Sequence, residues 1–273
     1  IGQKDMIILT GAKGFIGKCF AERLDDEVIL VDQEDAWRLF TDFDNWDKVN
    51  LILHQGAISS TTEKDLQKLW HYNVAFSCAL LNKAIEYQIP IKYASSASVY
   101  GNQSIHQKAK AYNPLNQYAI SKLQVDYTVL DNIDKFSLVQ GFRYFNVYGD
   151  GEDHKGNQAS PVSKFTKEIR ETGELNLFKG SNKFLRDFVC VDDVVSIVMN
   201  NTAGSGIYDI GTGSPVSFQH VAELVAKKED GKINTIPFPD HLKGKYQTYT
   251  CADMKWVGNY KFTTVEEYIN RRE

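Results

Sequence analysis

An α/β fold built on a doubly wound parallel sheet is what this sequence predicts, and three observations carry the prediction. The apolar run at residues 7–9 breaks after Thr10 into glycines spaced G-x-x-G-x-x-G, at Gly11, Gly14 and Gly17, and a helical pattern follows at once. A second apolar run, residues 28–31, ends in an acid, Asp32. Further on, short apolar runs at 49–54, 91–94 and 137–145 alternate with helical patterns, the arrangement that gives a parallel sheet covered by helices.

The 273 residues are 42% hydrophobic and 24% charged, ordinary for a soluble globular protein and ample for one large domain or two coupled ones. A net charge of −4 gives no bulk attraction for nucleic acid or an anionic membrane, so an anionic ligand has to be met locally. No apolar run approaches the roughly 18 residues that span a bilayer, and the first residues lack a secretory core, so the expectation is a cytoplasmic protein without membrane or nucleic-acid partners. Cys19, Cys78, Cys190 and Cys251 are scattered, without C-x-x-C pairs or clustered histidines; they read as buried thiols, and no metal site is expected.

Taken in order, the first turn is the most specific element. Glycine permits positive φ and close approach of a ligand to the backbone, while the free N–H groups and dipole of the following helix attract a pyrophosphate. Gly11, Gly14, Phe15, Ile16 and Gly17 are therefore candidate dinucleotide contacts. Asp32, with Gln33 beside it, stands at about the 20-residue distance at which a ribose hydroxyl is met.

After Asp32 the run at 49–54 arrives too soon, since a βαβ unit takes about 30 residues. Either that side of the sheet is trimmed, or a helix-and-strand segment, and part of the adenosine pocket with it, is absent from the sequence; the second is the expectation, because a parallel sheet without its covering helix exposes an apolar face. Residues 253–268 are short in the same way. Gln55, Gly56, Ala57, Ile58 and Ser59 follow the strand and either lay their backbone against the cofactor or form an ordinary turn. A helical pattern over 64–87 carries Asn73 on its apolar face, in reach of buried backbone or of the sheet ends. Pro90 stops it. The strand at 91–94 runs into Ser95, Ser96 and Ser98, facing the crevice where open α/β sheets bind ligands, although serines also cap turns.

The chemical centre is the helix opening at Pro114. Tyr118 and Lys122 stand four residues apart and project from one face. An ammonium near a phenol stabilises the phenolate, which predicts a Tyr118 pKa below the usual value of about 10 and an acid/base suited to neutral pH.

With Thr10 to Gly17, Ser96 and the Tyr118-x-x-x-Lys122 spacing together, the chain resembles the extended short-chain dehydrogenase/reductase family, whose members act on nucleotide-activated sugars. That resemblance runs almost end to end. It implies a Rossmann domain over 1–146 with about 187–213, and a smaller α/β substrate-binding domain over about 147–186 with 214–273. In such a protein Tyr118 is the catalytic base, Lys122 orients the nicotinamide ribose, and Ser96 bonds the reacting hydroxyl.

The later chain resembles one branch of that family, the ADP-heptose 6-epimerases of lipopolysaccharide core synthesis. The motifs are residues 58–63, the loop 146–160, Phe178-Lys179-Gly180-Ser181, Arg186-Asp187-Phe188-Val189, and 242–247. The resemblance implies a second acid/base at Lys155, which also meets the cofactor. Asn146 and Val147 line the substrate and nicotinamide, Phe178, Lys179, Gly180, Ser181 and Arg186 hold the ADP moiety, and Tyr246 closes the sugar side. Two further substrate contacts fall on Asn157 and Lys164, where the branch has serine and histidine. Read without the resemblance, Lys155 is a solvated loop charge, and Asp187 is an ion-pair neighbour of Arg186.

Epimerisation at C6 of ADP-D-glycero-β-D-manno-heptose, by transient oxidation and re-reduction, is the activity implied. NADP is the cofactor the resemblance implies, yet Asp32 by itself favours NAD, because a carboxylate repels a 2′-phosphate; Arg38 is a candidate cation. A UDP-hexose 4-epimerase shares Ser96, Tyr118 and Lys122, whereas a 4,6-dehydratase needs an acid that Ala97 and Ser98 do not supply. A non-catalytic dinucleotide sensor need not keep Tyr118, Lys122 and Ser96 together. The resemblance also implies a homo-oligomer.

Overall fold

The computed structural model describes residues 5–101, 112–240 and 248–272. The chain divides into two compact units, one made of 1–99, 114–143 and 198–208, the other of 100–113, 144–197 and 209–273. The stretch that returns to the first unit is 198–208, where the resemblance implies about 187–213.

A six-stranded sheet forms the first unit's frame, in the order Gly206–Ile210, Val139–Tyr144, Ile91–Ser96, Val49–His54, Met6–Thr10, Glu27–Val31. Met6–Thr10 pairs parallel with Glu27–Val31 on one side and Val49–His54 on the other. Because both faces are covered, the central strands read as unbroken apolar runs, and Ile8, Leu9, Ile52, Leu53 and Ile91 are fully buried. Helix Phe76–Tyr87 packs Phe76, Leu80 and Ala84 into this core, and helix Gln117–Leu130 adds Val125 and Val129.

After Asp32 the described chain makes a short crossover. No strand lies beyond Glu27–Val31, which is the edge of the sheet among the described residues. Residues 33–48 cross directly through two 3-10 turns, Ala36–Arg38 and Trp46–Lys48, and the short helix Leu39–Asp42. Aromatic rings do the covering that a longer helix was expected to do. Phe40 stacks on Trp46 at 5.9 Å, and Trp37 meets the edge of Phe76 at 5.6 Å. Trp46 is 3% exposed, whereas Leu30 on the edge strand remains 57% exposed, so the short crossover covers the sheet only in part.

The helix expected over 64–87 begins at Leu66 and contains a π-helical turn over Trp70–Ala75. Periodicity places the right residues on the apolar face but cannot register one wide turn.

Three two-stranded pairs organise the second unit: Asn146–Tyr148 with Phe188–Cys190, Glu174–Phe178 with Lys232–Ile236, and Leu185–Arg186 with Val216–Ser217. Helices Pro161–Thr172, Phe218–Glu229 and Val265–Arg271 bury Val162, Ile169, Val221, Val225 and Tyr268 among them. Their starts follow capping rules. Ser160 accepts from Ser163 N–H ahead of Pro161, and Thr264 forms a capping box with Glu267.

Of the four cysteines, all free, only Cys190 is buried; Cys19, Cys78 and Cys251 are half-buried, which corrects the expectation of four buried thiols. Among the described residues no helix is long and apolar enough to cross a membrane, and no three His, Cys, Asp or Glu side chains are grouped to hold a metal ion.

Candidate functional site

The glycine turn is built by contacts that only glycine allows. Gly11 has φ +72°, and a Cβ there would lie 2.6 Å from Gly56 Cα. A Cβ on Gly17 would strike the Gly11 carbonyl, so this glycine seats the helix Phe15–Ala21 on the turn. Gly14 is the N-cap of that helix and offers no side-chain cap, leaving the N–H groups of its first turn to a ligand.

One cavity in the first unit gathers eight of the sixteen expected dinucleotide residues. Gly11 and Gly14 line it from the turn, Asp32 and Gln33 from the edge strand, and Gln55, Gly56, Ala57 and Ile58 from the loop after Val49–His54. Thr10, Val31, Ala36, Tyr72 and Phe76 line it too; sequence reasoning gave them no such role, since their apolar or motif positions read as core. Phe15, Ile16, Gly17, Ser59, Asn73, Lys122, Val147 and Lys155 do not line it, and Ser59 is exposed. Phe15 is buried. The site fits a dinucleotide: a cradle closed to a Cβ at Gly11 and Gly17, an uncapped helix start, and a carboxylate at the strand end.

The charges at that strand end are internally matched. Asp32 accepts from Lys13 N–H at 3.0 Å, and burial pushes its carboxyl up while that hydrogen bond opposes the shift. Lys13 Nζ contacts Glu34, and Arg38 sits 3.8 Å from the Asp35 carboxylate.

Asn73 belongs to the π-helical turn and is fully buried. Its side chain accepts from Ile58 N–H at 2.7 Å and donates to the Ile58 carbonyl at 3.0 Å, fixing the cavity loop from behind. A second donation at 3.0 Å reaches the Ser121 hydroxyl.

Asn116 caps the helix Gln117–Leu130 through Ala119 N–H, and the helix carries Tyr118 and Lys122 on one face. Ser96 hydrogen-bonds the Tyr118 phenol and itself accepts from the Ser98 hydroxyl at 2.9 Å. Lys122, 4% exposed, donates to the Ala94 carbonyl at 2.9 Å. Burial drops its pKa to about 8 despite the carboxylate of Asp126 one turn on. The depressed Tyr118 phenol expected from sequence is not found. Burial pushes that phenol up, and the Ser96 hydrogen bond only partly offsets it.

In the second unit, Lys155 lies in the 3-10 turn Asp153–Gln158. Glu152, only 2% exposed, shapes its loop: the carboxylate accepts from Gly149 N–H at 3.0 Å, Ser160 N–H at 2.6 Å and the Ser160 hydroxyl at 2.7 Å. Lys155 is half-buried, and burial pulls its pKa down against the pull of Glu152, with Lys164 lowering it further. Lys164 is exposed on the helix Pro161–Thr172. Sequence reasoning missed Glu152, though an acid just after Gly151 and ahead of a Ser-Pro helix start is a usable signal.

Asn146 and Val147 are half-buried on the strand Asn146–Tyr148. Gly180, at φ +89°, turns the chain after the strand Glu174–Phe178, and Ser181 bonds back to the Phe178 carbonyl at 2.6 Å. Phe178 packs on Phe238 at 5.6 Å, while Lys179 is exposed. Arg186 is buried with its guanidinium 5.5 Å from the Phe218 ring centre. The Asp187 carboxylate accepts from Thr212, Gly213 and Ala252 N–H groups. Tyr246, the rest of 242–247 and the Asn157 side chain lie outside the described residues.

A sequence profile described as the NAD dependent epimerase/dehydratase family matches residues 7–211. Among solved structures, the ADP-L-glycero-D-manno-heptose-6-epimerase of Helicobacter pylori is similar at 25% identity and a TM-score of 0.84, over 98% of this chain and 95% of that one. The UDP-N-acetylglucosamine 4-epimerase of Methanobrevibacter ruminantium, in complex with UDP-N-acetylmuramic acid, gives 16% identity and 0.82, over 99% and 98%. A UDP-glucose 4-epimerase of Thermus thermophilus, in complex with NAD, gives 21% and 0.78, over 97% and 98%. The last two show the shared fold.

Proposed function

This chain belongs to the NAD dependent epimerase/dehydratase family, and from that premise we propose that it is a nucleotide-sugar epimerase that inverts C6 of ADP-D-glycero-β-D-manno-heptose, a step of lipopolysaccharide core synthesis. A bound nicotinamide dinucleotide supplies reversible hydride transfer. The residues of the chain hold that group and move protons. The glycine turn and its uncapped helix start receive the pyrophosphate, and Asp32 receives the ribose.

Tyr118 is the first acid/base, exchanging a proton with the reacting hydroxyl while Ser96 orients that hydroxyl. Lys122, charged at neutral pH because its pKa is about 8, supplies the cation that stabilises the phenolate as it forms. Lys155 is the second acid/base. Inversion requires loss and return on opposite faces of one carbon, which two separate proton-handling groups serve. Asn146, Val147, Asn157, Lys164 and Tyr246 are assigned to the sugar side, and Phe178 to Ser181 with Arg186 to the nucleotide.

What supports the heptose reading over a 4-epimerase is the Lys155 loop: a half-buried lysine on a loop clasped by the buried Glu152 carboxylate. For the cofactor, the matched charges around Asp32 favour NAD over the NADP that the resemblance implies, because Lys13 and Arg38 already face the carboxylates of Glu34 and Asp35 rather than a 2′-phosphate. Exposed Leu66, Trp70, Ile120 and Tyr127 on adjoining helices of the first unit support a homo-oligomer.

The test is to incubate the purified protein with ADP-D-glycero-β-D-manno-heptose, first alone and then with NAD⁺ or NADP⁺, and to follow the C6 configuration by NMR. Conversion to a mixture of both heptoses supports the reading. Failure there, with epimerisation of UDP-galactose, transfers it to a hexose 4-epimerase.

A further inference from the structure

Thr10, His54, Asn73, Ser77 and Ser121 are all at most 5% exposed, and together they form one hydrogen-bonded line through the first unit. Gly56 N–H donates to Thr10 Oγ1 at 3.1 Å, and Thr10 Oγ1 lies 2.6 Å from His54 Nδ1. His54 Nε2 lies 2.8 Å from Ser77 Oγ, and Ser77 donates to the Asn73 carbonyl at 2.6 Å. Asn73 donates to Ser121, which donates to the Tyr118 carbonyl at 2.7 Å.

The protons in this line can be assigned from the donors. A serine hydroxyl has one hydrogen, and that of Ser77 is committed to the Asn73 carbonyl. Ser77 Oγ therefore accepts from His54, so Nε2 carries the ring proton. Nδ1 is then an acceptor, and Thr10 donates to it while accepting from Gly56. The other tautomer would take the Ser77 proton away from Asn73 and break the line at its centre.

We propose that His54, as its Nε2–H tautomer, is a positioning residue that couples the dinucleotide-binding turn to the helix bearing Tyr118 and Lys122. It rests on the roles given above to Tyr118 and Lys122. The imidazole ends the strand Val49–His54 between the Gly11 turn on one side and the π-helical turn on the other. Its ring also meets Phe76, a wall of the dinucleotide cavity, at 5.7 Å. Burial and the Lys122 charge drop its pKa to about 3, so the hydrogen-bond directions persist across the range in which Lys122 titrates.

Two measurements test this. Long-range ¹H–¹⁵N correlation spectra of histidine-labelled protein should show one Nε2–H neutral ring unchanged from pH 8 to about pH 5, a span set by the low pKa, and its signals should vanish in His54→Gln. An Nδ1–H pattern, or a cation in that range, overturns the proposal. In folded His54→Phe, turnover should fall about tenfold and dinucleotide affinity several-fold, with His54→Gln recovering most of both by restoring a donor to Ser77. Unchanged turnover and affinity overturn the coupling. If His54→Phe does not fold, Ser77→Ala is judged by the same criterion. Absence of turnover on every nucleotide sugar would remove the epimerase reading alone, since tautomer and dinucleotide affinity are measured without a sugar.

Discussion

The Lys122 ammonium donates to the Ala94 carbonyl at 2.9 Å, which pins the proposed catalytic helix to the strand that ends in Ser96. A buried ammonium held by one neutral carbonyl loses most of its hydration, and its pKa of about 8 follows.

That value sets two pH effects. The pH profile of kcat/KM should bend on its alkaline side near pH 8 as Lys122 discharges, and Lys122→Arg should remove the bend, since guanidinium does not titrate there. Stability moves the other way. The folded pKa lies below the unfolded one, so between about 8 and 10.5 the unfolded chain binds the extra proton and stability rises with pH. Wild type should therefore gain roughly 2 kcal/mol on Lys122→Met between pH 7 and pH 9.5, by urea unfolding.

Burial raises the Tyr118 phenol. Ultraviolet difference titration of wild type against Tyr118→Phe should show no Tyr118 phenolate below about pH 10, the ordinary phenol value. The same substitution should lower kcat by about 10²- to 10⁴-fold, with dinucleotide affinity within a factor of about three. A variant that keeps its turnover would show that Tyr118 is not the acid/base.

The residues legible in the sequence are those whose relationship is local. Gly11, Gly14 and Gly17 announce a turn by spacing, and Tyr118 and Lys122 announce a shared face by standing four apart. What escapes depends on distant partners. Trp37, Phe40 and Trp46 cover the sheet edge because they meet Phe76 and one another across the core, a substitution of rings for a helix that no periodicity reports. His54 reads as the last residue of an apolar run, since its partners Thr10 and Ser77 are 44 and 23 residues away. Spacing misplaces the Tyr118 pKa because it registers a lysine four residues on and hides the burial, while the Lys122 ammonium is turned to the Ala94 carbonyl.

Cofactor choice turns on the carboxylates after the edge strand. NAD should bind more tightly than NADP, measured by calorimetry. Asp32→Ser removes the charge facing a 2′-phosphate, and Glu34→Gln releases Lys13 from its ion pair to face that phosphate. Together they should shift the NADP:NAD affinity ratio by about 10- to 100-fold, the range of one or two charge contacts at a partly exposed site. Tighter NADP binding by the wild type would instead support the choice the resemblance implies.

Glu152 offers the last test, because its two oxygens receive three donors while its backbone carbonyl receives Lys155 N–H at 2.8 Å. Removing the carboxylate leaves the N–H groups of Gly149 and Ser160 buried without it, a cost of about 3 kcal/mol for Glu152→Ala in denaturant unfolding. Glu152→Gln keeps an acceptor and should cost less. The charge has a separate consequence. Glu152 holds the Lys155 pKa up against burial and against Lys164, so Glu152→Gln should move the proton of Lys155 off at lower pH and shift the pH optimum of turnover downward. Lys164→Met should do the opposite, since it removes the like charge that pulls Lys155 down. If both substitutions change stability and leave the pH profile in place, Lys155 is not the second acid/base.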